Sequence, residues 1–174
     1  MTPNFTKQLK RHIQNHDLEG ILAGYGKAAR KRGYYNRREF IRICLWKTSQ
    51  QKQNYLSLAE KDIIRVTGYA FNISDEQDRI EKLCELKGVG ILVASALLTF
   101  YDPENYAIID RPCTEVLEEH GLIEWRRISS DTWVDYLACI RNLSIKLKTT
   151  PGRVVQGLYA FHRESQMQRE FPDL

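Results

Sequence analysis

A chain of 174 residues and 20.4 kDa is long enough for one domain or a compact two-lobed unit with a real core, and too short for several independent domains. Its 43 % apolar and 28 % charged residues, with ten Gly and five Pro, are the balance of an ordinary folded protein and exclude the disordered and low-complexity classes. The formal charge of +4 hides an asymmetry: residues 1–53 hold 12 Lys and Arg against 3 Asp and Glu, and the remainder is net acidic, which makes a polyanion the leading partner.

In chain order, Phe5 to Asn15 and Leu18 to Arg30 read as two short helices. His12 and His16 share one face of the first, but no third ligand accompanies them, so they read as surface residues and no metal is expected. Lys27, Arg30, Lys31, Arg32, Arg37, Arg38 and Arg42 then crowd together with Tyr25, Tyr34 and Tyr35 interleaved. Cations suit phosphates and rings suit bases, so the run suits nucleic acid; a solvated helix face beside a basic loop has the same composition. Asn36 to Lys47 places Phe40, Ile43 and Cys44 at helical spacing, Ser57 to Ala70 does the same with Leu58, Ile63, Ile64 and Val66, and Ser74 with Gln77 forms a capping-box pattern opening Asp75 to Leu86.

Ile91 to Phe100 is apolar nearly all round and should be the buried central helix, far shorter than the roughly 20 residues a bilayer span needs. Tyr106 to Ile109 looks extended, Pro112 sits near the start of a helix running to Gly121, Asp131 to Lys148 carries Trp133, Leu137, Ile140 and Leu147 on one stripe, and Thr150 with Pro151 opens the last helix. About ten helices and no alternating run that would demand a sheet give an all-α fold. The N-terminus has no apolar signal core, which predicts a soluble, cytoplasmic protein with no membrane partner. Cys44, Cys84, Cys113 and Cys139 are too far apart for close-paired ligation and read as small buried hydrophobes, with no cofactor expected.

The most informative stretch is Leu86-Lys87-Gly88-Val89-Gly90-Ile91, a helix running through a Gly-Val-Gly turn into a second helix. Two glycines let consecutive backbone N–H groups face a phosphate at the positive end of the following helix, with Lys87 adding charge at the rim; a plain turn between two core helices has the same glycines. Together with the apolar run Tyr106 to Ile109 and Asp110, it resembles the helix-hairpin-helix superfamily of DNA glycosylases, the group that includes endonuclease III. The order of elements agrees over roughly residues 36–165, and only the hairpin and the Asp110 segment match as motifs.

That resemblance implies a two-lobed fold, with residues 36–104 as a helical barrel lobe containing the hairpin at about 75–100, and residues 1–35 plus 105–174 as the terminal-helix lobe. It implies that Lys87, Gly88, Val89 and Gly90 hold the backbone of double-stranded, damaged or distorted DNA, with Lys31, Arg37 and Arg38 on further phosphates and Gln50 presented into the duplex. Asp110 falls where the family has its catalytic carboxylate, and a helix cap ahead of Pro112 is the other reading of the same residue. Bifunctional members carry a nucleophilic lysine two residues after the second hairpin glycine; here that position is Leu92. The implied activity is therefore a monofunctional DNA glycosylase acting as a monomer in base excision repair, hydrolysing the N-glycosidic bond of a damaged or modified base without strand cleavage. The alternative is a non-catalytic helix-hairpin-helix module that recognises distorted DNA. Arg111 stands where the family has a small polar residue, so it could pair with Asp110 and quench it. Trp46 and Lys47 are the pocket candidates, Trp46 otherwise reading as core and Lys47 as an alternative amine if it faces Asp110. His162 and Tyr159 on the last helix complete the candidates.

Overall fold

The computed structural model describes residues 3–14, 20–124 and 127–170, with side chains left aside at 3, 4 and 11–14; the side chain of His12, and His16 altogether, therefore lie outside what is described. Among the described residues the fold is all helical, with ten α-helices: α1 Pro3–Gln14, α2 Gly20–Arg32, α3 Arg37–Lys47, α4 Lys52–Ser57, α5 Glu60–Ala70, α6 Glu76–Cys84, α7 Ile91–Tyr101, α8 Arg111–Glu119, α9 Ser130–Leu147 and α10 Pro151–Glu170. None is long and apolar enough to cross a membrane.

Helix α7 is the axis of the molecule, because an all-apolar helix must be covered on every side. Val93 to Phe100 are all buried, and α2, α3 and α6 pack around them. Its polar residues stay satisfied within the chain: Ser95 Oγ donates to the Leu92 carbonyl at 2.9 Å and accepts the Ile109 amide at 3.1 Å, and Thr99 Oγ1 donates to the Ser95 carbonyl. The Ile109 bond pins the extended segment before Asp110 onto α7. From the other side, Tyr136 of α9 donates to the Ile108 carbonyl at 2.7 Å. Helix α1 packs on α10, and α10 on α8 and α9. Helix α2, which the sequence assigns with the terminal segments, lies on α7 and α3.

Local signals set most helix ends. Asn36 caps α3 by accepting the Glu39 amide at 3.0 Å, while Glu39 Oε2 accepts the Asn36 amide at 3.2 Å and also pairs with Arg32. Asn36→Ala should cost about 1 kcal/mol of stability, read from the midpoint of urea unfolding. The capping residue of α6 is Asp75, which accepts the Asp78 amide at 2.9 Å, and not Ser74 with Gln77: the start lies one residue later than expected because a carboxylate caps there. The helix expected over Ser57 to Ala70 is α5 and starts three residues later, at Glu60, since Leu58 and Ala59 are extended; Ser57 instead ends a separate helix, α4. Arg37 explains the break: it donates to the Leu56 and Leu58 carbonyls at 2.6 and 3.2 Å, meeting the open end of α4. Tyr35 belongs to the core and not to the basic surface, for it is fully buried, with its hydroxyl on the Leu97 carbonyl at 2.8 Å.

Candidate functional site

The turn between α6 and α7 has the backbone its two glycines suggest, for different reasons at each. Gly88 has φ +88°, and a Cβ there would lie 2.8 Å from the Asn54 Cβ and 3.2 Å from the Gln51 Cβ, so the turn docks flush on the start of α4. Val89 is buried beneath it and donates to the Leu86 carbonyl at 2.9 Å. Gly90 is exposed, has an ordinary φ of −104°, and would bring a Cβ within 4 Å of nothing. Neither strain nor crowding calls for glycine there; its effect is an open N-terminus on α7, where the first-turn amides of a helix lack intrahelical acceptors. Lys87 is exposed at the rim.

This difference makes a paired prediction. Gly88→Ala should destabilise by roughly 1–3 kcal/mol through positive φ and the Asn54 contact. Gly90→Ala should change stability by less than about 1 kcal/mol. If the α7 amides hold a phosphate, it is Gly90→Ala that weakens duplex binding in a salt titration, with the fold intact by circular dichroism.

Asp110 does cap a helix: its Oδ1 accepts the Cys113 amide at 3.3 Å at the start of α8, with Pro112 in the first turn. Its other oxygen, Oδ2, lies 3.1 Å from Lys47 Nζ at the last turn of α3. The two side chains are 18 % and 12 % exposed, so the pair is largely screened from water yet not sealed. Arg111 takes no part: its guanidinium is 86 % exposed and turned to Glu115, with Nε 2.6 Å from Oε1. The Glu115 carboxyl is held below its usual range by Arg111 first and by His162 as well, the latter at 3.0 Å. The quenching contact open to Arg111 is not made, and the carboxylate is met by a cation 63 residues away in sequence.

Behind the pair, the Cys113 thiol and Tyr136 phenol are fully buried, and burial pushes both well above their usual pKa range. Both stay protonated, so the ion pair of this corner is that of Lys47 and Asp110. From Lys47 the chain runs through Thr48, Ser49 and exposed Gln50 to Gln51 against Gly88. Four residues reach at most roughly 14 Å, so the ion pair, Gln50 and the hairpin share one end of the molecule.

The structure separates the two pocket candidates. Trp46 is 40 % exposed, stands edge-on to Phe100 with ring centroids 5.1 Å apart, and lines an open groove of about 980 Å³ among α2, α3 and α4 with Tyr25, Arg38 and Arg42; Lys47 does not line it. The basic run divides likewise. Arg30 pairs with Asp102 at 2.9 Å, Arg32 with Glu39, and Arg37 with carbonyls, so Arg37 is better described as a structural residue than as a free phosphate ligand. Lys27, Lys31, Arg38 and Arg42 remain exposed. Among the described residues no group of His, Cys, Asp and Glu could hold a metal, and the four cysteines are free, Cys44 and Cys113 buried, Cys84 and Cys139 partly so. Comparison with protein-family models and with curated proteins finds no match for this chain.

Proposed function

We propose that the protein is a helix-hairpin-helix, glycosylase-like DNA repair enzyme of two lobes that hydrolyses the N-glycosidic bond of a damaged or modified base in duplex DNA. The observation that carries this reading is the placement of Asp110: pinned to α7 through Ile109, untouched by Arg111, and on the same end of the molecule as the Gly88–Gly90 turn. Breaking the bond to the base leaves positive charge on the sugar, and a fixed carboxylate in a water-poor corner stabilises that charge and orients the attacking water. The base must leave the stack to reach it, with Gln50 suited to enter the gap and the α7 amides to hold a flanking phosphate. Lys31, Arg38 and Lys87 supply further backbone contacts, and binding should weaken steeply with salt.

Incubation with duplexes carrying a panel of altered bases, followed by detection of abasic sites, tests the reaction, with Asp110→Asn as the control. A second reading has its own support: the Lys47–Asp110 pair neutralises the carboxylate, as a protein that only grips distorted DNA would tolerate. Duplex binding with no base released from any substrate would select it.

A further inference from the structure

We propose that Lys47 is a nucleophilic amine that opens abasic sites, giving the protein a strand-cleaving lyase step; this rests on the reading that damaged DNA enters at Asp110. The expectation of no strand cleavage came from Leu92 alone, and Leu92 has no amine to offer. The fold brings an amine to the carboxylate from a different helix, with Lys47 Nζ 3.1 Å from Asp110 Oδ2.

A bridge that serves only the fold explains this pair poorly. Asp110 already has its structural partner in the Cys113 amide through Oδ1, and an aspartate caps a helix without needing a cation. The face of α3 leading to Lys47 is Phe40, Ile43 and Cys44, all buried, so an apolar residue would continue the packing without the cost of drawing an ammonium out of water. An amine partly shielded, in contact with a base and 12 % open, has what attack on a carbonyl carbon requires.

The chemistry closes without an added oxidant or reductant. Nζ passes a proton to Asp110 Oδ2 and attacks C1′ of the ring-opened abasic sugar, which is an aldehyde. Asp110 returns that proton to the carbinolamine hydroxyl, which leaves as water and gives a protonated Schiff base on Lys47. The Asp110 carboxylate, 3.1 Å from Nζ, then takes the proton from C2′, the C3′–O bond breaks and the 3′ phosphate leaves with the electron pair, and water hydrolyses the imine, returning the free amine and an unsaturated aldehyde on the cleaved strand.

The test uses the full chain and a duplex with a preformed abasic site, so that no base needs recognising. Borohydride reduces the Schiff base to a stable amine, and the wild-type protein is expected to give a one-to-one covalent complex with the adduct on Lys47 by peptide mass spectrometry. Lys47→Arg keeps a cation on Asp110 but has no primary amine, and should lower trapping at least ~100-fold while binding the abasic duplex within a few-fold of wild type. No trapped complex from wild-type protein, an adduct on another lysine, or undiminished trapping in Lys47→Arg overturns the proposal. Base release without trapping removes the lyase step and leaves the glycosylase reading; trapping without release of any altered base does the reverse. Failure to bind the abasic duplex removes both.

Discussion

Gly26→Ala is expected to destabilise the protein by about 3 kcal/mol or more, lowering the thermal midpoint by roughly 6–12 °C in a chain of this size. A Cβ at Gly26 would lie 1.6 Å from the carbonyl oxygen of Phe100 and 2.3 Å from its carbonyl carbon, so α2 and α7 cross there backbone against backbone. No rotamer relieves such a clash. The helices must part, loosening buried Leu22 and Ala29 and the Arg30–Asp102 pair at the end of α7. Helix propensity favours Ala by about 1 kcal/mol, which is too little to offset the lost packing. Gly24→Ala is the control on the same helix, because nothing lies within 4 Å of a Cβ there and propensity alone should act. Equal melting temperatures for the two variants would refute the close crossing.

That crossing shows where a sequence stops speaking. Gly26 and Ala29 sit in a chain segment that reads as a helix, and the helix is there, but no local pattern says which of two nearby glycines meets a neighbouring backbone. What is encoded locally was legible: the apolar run of α7, the Gly121 turn with φ +64°, and the stripe of Trp133, Leu137, Ile140 and Leu147, all buried. Helix α4 escaped notice because six residues, Lys52 to Ser57, are too few to show a period, and because its end is satisfied by a side chain outside it, that of Arg37 at the start of α3. The same arginine shows why a basic run cannot be divided by inspection: sequence counts charges, whereas only the fold shows that Arg30, Arg32 and Arg37 meet acids or carbonyls while Arg38 and Lys31 face solvent. Asp110 was legible as a cap from Pro112 two positions on. Its cation was not, since Lys47 lies far upstream and Arg111 adjoins it; helical geometry gives Arg111 a nearer partner in Glu115, one turn along the same face.

Asp110→Asn is expected to reduce base release at least 100-fold on whichever altered base the protein removes, while the fold survives. The two oxygens of Asp110 do separate jobs, and the substitution divides them. Asn is as good a helix cap as Asp, so the bond from the Cys113 amide to Oδ1 should persist and α8 should keep its start. The negative charge is lost. With it go the ion pair to Lys47 and the counter-charge for a sugar cation, so stability should fall by on the order of 1–3 kcal/mol while the rate falls much further. Duplex affinity should hold or rise, because a carboxylate facing a phosphate backbone repels it and an amide does not. A rate within tenfold of wild type would mean that this carboxylate does not carry the reaction, and Lys47→Arg then becomes the informative comparison. In that variant the charge on Asp110 is neutralised as before while the amine is gone, so base release kept and trapping lost would assign the two steps to the two residues separately.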